Sequence, residues 1–133
     1  MSRKILINLP VRDIEKSKTF FETLGLLLNE ELTDENATCF SIDSNIILTL
    51  LPIEHFSDVV QHHEVVDTSK QNEVLLAIGV ESRTEVDTML TLAVTAGGKE
   101  LSKPMSYGTI YGASFTDLDG HQWNIYHMEI PGE

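Results

Sequence analysis

Residues 115–126 read FTDLDGHQWNIY, and the interpretation of this stretch decides the fold. A strand end runs into Asp117-Leu118-Asp119-Gly120, a cluster of turn formers, and then into a second strand carrying Trp123, Ile125 and Tyr126. Asp119-Gly120 favours a tight hairpin, because glycine takes positive φ without steric cost and aspartate tolerates the left-handed region. Working outward, the remainder of the chain reads as the approach to this ending plus one earlier, more diverged copy of the same unit.

The earlier copy begins at residues 5–11, which alternate with strand period: Ile5, Ile7, Leu9 and Val11 point one way, Leu6, Asn8 and Pro10 the other. Asp13 stands where an N-cap belongs, and Ile14, Ser17, Phe20, Phe21 and Leu24 form a helical stripe that Gly25 closes. Strands are expected at 26–32, 37–43 and 46–51, with turns at Asp34-Glu35-Asn36 and Ser44-Asn45, which makes βαβββ. Residues 52–68 predict a short joining helix from the spacing of Ile53, Phe56, Val59 and Val60, and polar residues 69–73 complete the link. A strand at 74–81 follows, with Leu76, Ile78 and Val80 on one face and Leu75, Ala77 and Gly79 on the other. Ser82-Arg83-Thr84-Glu85 is a capping box, and the helix it opens has Val86, Met89, Leu90, Ala93 and Val94 as its buried stripe and Gly97-Gly98 at its end. Strands from about Glu100, about Thr109 and Gln122 complete a second βαβββ. The expected organisation is a single α+β domain over residues 1–133, built of units at about 3–53 and 73–130 joined by a connector at 54–72.

Composition narrows the function classes. With 133 residues the chain can bury one sizeable core but not two independent ones. A net charge of -12 repels phosphates, so no nucleic-acid partner is expected. No run of about 18 apolar residues exists, so no membrane span is expected. The apolar run after Arg3-Lys4 stops at Pro10 without a small-residue cleavage site, which argues against a secretory signal. The single Cys39 cannot form an intrachain disulfide; it reads as a small buried hydrophobe and agrees with a cytoplasmic setting.

The stretches LPVRDIEKSKTFFETLG (residues 9–25) and FTDLDGHQWNIY resemble the vicinal oxygen chelate superfamily, which includes glyoxalase I, extradiol dioxygenases, fosfomycin resistance enzymes and bleomycin resistance proteins. The resemblance covers essentially the whole chain. It implies a curved mixed sheet in which each βαβββ unit forms half a cup and ligands sit inside. It also implies that metal-dependent members carry His, Glu or Gln ligands at positions matched here by Leu6, Thr49, Leu75 and Asn124. Leucine has no lone pair to give, and neither threonine nor asparagine is a usual transition-metal ligand, so no metal cofactor is expected. The proton-transferring glutamate of glyoxalases is missing from its matched position as well.

The cup faces implied by that resemblance leave Asn8, Thr49, Asn124 and Tyr126 as polar contacts and Leu6 and Leu75 as an apolar floor. Tyr107-Gly108 and Tyr111-Gly112 form a glycine-punctuated segment suited to closing over a ligand. The histidines assemble no site. His55, His62 and His63 lie on the connector, where adjacent residues cannot share a helix face; His121 reads as structural or solvated, and His127 as a sheet-edge residue. No catalytic triad or Cys-His pair can be assembled, so no catalytic residue is assigned. The expected function is metal-free binding of a small organic molecule, similar to bleomycin resistance proteins. The alternatives are a glyoxalase-type lyase or isomerase, similar to lactoylglutathione lyase but with an unconventional site, and a ligand-free structural role if side chains fill the cup. A homodimer is implied by the resemblance, and strands at the unit edges would otherwise be open to pairing.

Overall fold

The computed structural model describes residues 3–61 and 64–129, and its contacts separate into two units, Met1–Val65 and Val66–Glu133. In the first unit β1 (Ile5–Val11) leads into α1 (Ile14–Thr23), followed by β2 (Leu27–Leu28), β3 (Thr38–Asp43), β4 (Ile46–Pro52) and a short helix α2 (Ile53–Val59). The sheet runs β1-β4-β3-β2, with β1 parallel to β4 and the other pairs antiparallel. Asp13 caps α1 as its position predicts, accepting the Lys16 N–H at 3.0 Å. The predicted stripe is buried at Ser17, Phe20, Phe21 and Leu24. The Phe20 and Phe21 rings meet edge to face at 5.1 Å, and Phe21 lies 6.0 Å from Phe40 of β3. Leu9, Val11, Leu48 and Leu50 complete this core; each such side chain contributes about 1.5–3 kcal/mol when fully buried.

Two expectations for this unit change. The strand expected at 26–32 shrinks to two residues because Asn29 turns the chain: its Oδ1 accepts the Leu32 N–H and its carbonyl accepts the Thr33 N–H, both at 3.1 Å. Thr49, expected as a polar contact in the cup, is buried together with Ile47 and Leu51 on the same face of β4, all at or below 5% exposure.

The second unit repeats the order: β5 (Leu75–Gly79), α3 (Arg83–Thr95), β6 (Lys99–Tyr107), β7 (Ile110–Thr116) and β8 (Gln122–Met128). Its sheet runs β5-β8-β7-β6, again with the first and last strands parallel. Ser82 Oγ accepts the Glu85 N–H at 3.1 Å, but Glu85 reaches back to the Glu81 N–H, at 3.4 Å, so the capping box closes one residue early. Helix α3 packs on β6, β7 and β8. Val86, Leu90 and Ala93 are buried, as are Phe115, Trp123 and Ile125 of the sheet, whereas Val94 is exposed although its spacing placed it in the stripe.

The β7–β8 connection is organised by Asp117. Its Oδ1 accepts the N–H groups of Asp119 and His121, both at 3.0 Å, and its Oδ2 accepts the Trp123 indole N–H at 3.2 Å. Gly120 supplies the expected positive φ, +86°. The connector contributes too: the Thr68 hydroxyl donates to the Asp119 carbonyl, and Asn72 Nδ2 donates to Gln122 Oε1 at 3.3 Å. His121 is buried, and His127 lies within the sheet and not at its edge, because β8 runs between β5 and β7; its Nδ1 is 3.1 Å from the Val80 carbonyl. His55 is half-buried on α2, while His62 and His63 fall outside the described residues.

Candidate functional site

Strand register in the second unit sets Ala77, Asn124, Ser114 and Ser102 side by side across four strands. Two residues further along, Gly79, Tyr126, Gly112 and Met105 form a parallel row. Side chains alternate along a strand, so both rows turn away from the face that holds Trp123 and Ile125. Glycine in β5 makes room for the tyrosine: a Cβ on Gly79 would stand 3.0 Å from Tyr126 Oη and 3.1 Å from its Cζ. The ring therefore lies over the β5 backbone and leaves the neighbouring row uncovered.

A cavity of about 300 Å³ results, lined by the first row with Gly112 and Tyr126 of the second and by Tyr107, Ile110, Ala113 and Ile125; that volume is at the small end for sites that take organic ligands. No lining residue carries a charge. The Ser102 and Ser114 hydroxyls are 2.7 Å apart and bond to each other. Asn124 Oδ1 is buried with no hydrogen-bond partner among the described residues. A bare buried acceptor of this kind costs about 1–3 kcal/mol.

Of the seven residues expected at the site, the cavity gathers Tyr107, Asn124 and Tyr126. Leu75 shares their strand face, opposite Gln122, but is 52% exposed and does not line the cavity. Leu6, Asn8 and Thr49 belong to the first unit. Leu6 is 50% exposed, Asn8 is exposed with its Nδ2 3.4 Å from the Leu6 carbonyl, and the buried Thr49 hydroxyl lies 3.6 Å from Cys39 Sγ. Ser102, Ser114 and Ala77 line the cavity beyond those expectations, and Gly112, expected in a closing segment, lines it from within β7. Gly112 and Ser114 were legible from the alternation of β7, but Ser102 was not, because register breaks on either side of it interrupt the period of β6.

The segment expected to close over a ligand is a tight turn. Only Gly108 and Thr109 separate β6 from β7, with Gly108 at φ +60°. Tyr111 turns to the opposite face, where its hydroxyl donates to Asp87 Oδ1 at 2.6 Å and its ring lies under Arg83, 4.9 Å from the guanidinium carbon. The Asp87 hydrogen bond holds the Tyr111 phenol above its ordinary pKa.

Residues 4–43 match the family model described as bleomycin resistance protein-like N-terminal. A hypothetical protein from S. aureus is 31% identical, with 96% of this chain and 94% of that one covered and a TM-score of 0.80. A glyoxalase/bleomycin resistance protein/dioxygenase family enzyme from Burkholderia phytofirmans superposes at TM-score 0.82 with 16% identity, covering 96% of this chain and all of its own. This chain belongs to the vicinal oxygen chelate superfamily. TnmS3, an antibiotic binding protein from a Streptomyces species, shares the fold of this vicinal oxygen chelate protein at 19% identity and TM-score 0.67, over 97% of this chain and 98% of that one. No curated protein matches it.

The residues at the positions where the resemblance implies up to four metal ligands do not fit an ion. Leu6 and Leu75 offer hydrocarbon, the Thr49 hydroxyl is engaged with a buried thiol, and the Asn124 amide is a poor transition-metal ligand whose oxygen is buried. Among the described residues no three His, Cys, Asp or Glu side chains come together as an alternative. No helix among them is long and apolar enough to cross a membrane.

Proposed function

We propose that this vicinal oxygen chelate protein binds a small organic molecule in the second unit, without a metal ion. The cavity of about 300 Å³, lined by Asn124, Tyr126, Ser102 and Ser114 and by no charged group, carries the reading: a cup serving only as structure would be packed. The bleomycin resistance-like family model over residues 4–43 and the shared fold of the antibiotic-binding TnmS3 agree with binding. The glyoxalase-type alternative requires a Lewis acid or an acid–base pair at the substrate. The cavity offers serine, asparagine and tyrosine, with no carboxylate or imidazole among its lining residues.

The test is elemental analysis of purified protein, a hemithioacetal turnover assay, and native mass spectrometry against a metabolite library. The expected result is no stoichiometric ion, no turnover, and a retained small molecule. An ion at one per chain together with turnover would replace this reading with the enzymatic one.

The same proposal includes a cytoplasmic homodimer. Cys39 is a buried free thiol, as suits a reducing compartment. Strands β1 and β5 each lie at the edge of their own sheet, with Ile5, Leu6 and Leu75 at least half exposed there, and edges of this kind favour pairing with a second chain. Light scattering is expected to give twice the mass of one chain; a monomer at micromolar concentration would remove the dimer from the proposal.

A further inference from the structure

We infer that Gly79 is a specificity-determining position: its lack of a side chain seats the Tyr126 ring outside the second-unit cavity, and that seating is what lets a bicyclic ligand in. This rests on the binding reading above and adds a size limit to it. Tyr126 is flanked in register by two glycines, Gly79 on β5 and Gly112 on β7. The ring leans to the first. The atoms nearest to a Cβ on Gly79 are Tyr126 Oη and Cζ, at 3.0 and 3.1 Å, whereas the Tyr126 atoms nearest to a Cβ on Gly112 are its own Cβ and Cα, at 3.7 and 3.8 Å. Of the pair, Gly112 lines the cavity and Gly79 does not.

Rotation about χ1 from one staggered well to another carries the ring from Gly79 toward Gly112, where it would occupy space that the cavity now offers. An apolar cavity of about 150 Å³ takes one benzene ring. A volume of about 300 Å³ therefore takes roughly two, and a tyrosine ring turned inward would leave room for one. A branched side chain at position 79 forces that turn, because even its Cβ would stand at contact distance from the ring and the atoms beyond it would overlap the ring. Nothing else holds position 79 to glycine: its φ is not positive, the three atoms nearest to its Cβ position all belong to Tyr126, and a strand accepts valine. Gly112 differs, since a Cβ there would meet the Ile125 carbonyl oxygen at 2.9 Å, so the backbone itself excludes a side chain.

The test uses phenol, 2-naphthol and 9-phenanthrol, which share one hydroxyl that both donates and accepts and differ in the number of fused rings. Each is titrated into the ¹⁵N-labelled protein while the amides of Gly112, Ser114 and Asn124 are followed. In the wild-type protein 2-naphthol is expected to bind about tenfold more tightly than phenol, the gain from burying a second ring, and 9-phenanthrol no more tightly than 2-naphthol. Gly79→Val should weaken 2-naphthol by about tenfold and phenol much less. In Tyr126→Ala 9-phenanthrol should overtake 2-naphthol, and adding Gly79→Val to that variant should change the affinity for 2-naphthol by less than about twofold. An unchanged affinity for 2-naphthol in Gly79→Val, equal losses for phenol and 2-naphthol, or the same loss with and without Tyr126 would overturn the role of Gly79 and leave the cavity a binding site. Should Gly79→Val not fold, Tyr126→Ala decides alone, and no gain for 9-phenanthrol there overturns the size limit. If none of the probes moves those amides in the wild-type protein, the binding reading itself is overturned.

Discussion

Asp117→Ala is expected to lower the free energy of unfolding by about 3–5 kcal/mol, and Tm by roughly 10 °C or more. Asp117 is only 6% exposed, and its carboxylate receives two backbone N–H groups and the Trp123 indole. Alanine would leave these donors without their acceptor at the point where β7 turns into β8. Chemical denaturation measures the loss; a change below about 1 kcal/mol would mean that water replaces the carboxylate without difficulty. Asp117→Asn, which keeps one acceptor oxygen, should cost less. It should also show an unusual dependence on pH. Burial pushes the Asp117 carboxyl above its ordinary value of 3.8, against the opposing pull of His121 and of the hydrogen-bond donors. A carboxyl with a raised folded pKa holds its proton more tightly in the native state. Its contribution to stability is therefore greatest below the unfolded value and declines as pH rises through the folded one. The difference between wild type and Asp117→Asn should accordingly widen as pH falls toward 3.8, opposite to the behaviour of a salt-bridged carboxylate.

Gly120→Ala is expected to cost about 2–4 kcal/mol, from two effects that act together. The residue sits at φ +86°, and a Cβ there would come within 2.6 Å of the Thr68 carbonyl oxygen and 3.0 Å of its carbon. Backbone cannot swing aside as a side chain can, so either the turn or the connector must shift. Gly108→Ala separates the two contributions, because Gly108 also has positive φ, +60°, but nothing lies within 4 Å of its Cβ position. Its loss should stay near the conformational cost alone, about 1 kcal/mol. Equal losses at the two sites, measured by thermal unfolding, would show that contact with Thr68 imposes no constraint.

The turn that these substitutions probe shows how far a linear reading reaches. Gly120 was legible because an Asp-Gly pair between two apolar runs signals positive φ wherever it occurs. The acceptor role of Asp117 was not, since Trp123 comes within its reach only through the geometry of the turn between them, and the docking of Thr68 against the same turn depends on a distant segment. The two units show the same limit. Thr49 and Asn124 occupy equivalent places on the last strands of their repeats, yet one is buried with its hydroxyl near the Cys39 thiol and the other has an oxygen unpartnered among the described residues. The difference lies in the neighbouring strand. Cys39 pairs across from Thr49, whereas Ser114, across from Asn124, is engaged by Ser102 on a strand whose counterpart in the first unit spans only two residues.

By itself, the sequence determined the order of elements in both repeats, the starts of α1 and α3, the apolar faces beneath them, and the lack of ion-binding side chains at the family positions. Those properties depend on side-chain chemistry and on hydrogen bonds or alternation that span a few residues. Only the tertiary structure decided that the second face of β4 is buried, that the tyrosine lies over Gly79, and that the Asn124 amide oxygen is buried without a partner among the described residues. Burial and the pairing of polar atoms are set by residues dozens of positions apart, once the strands have fixed their register.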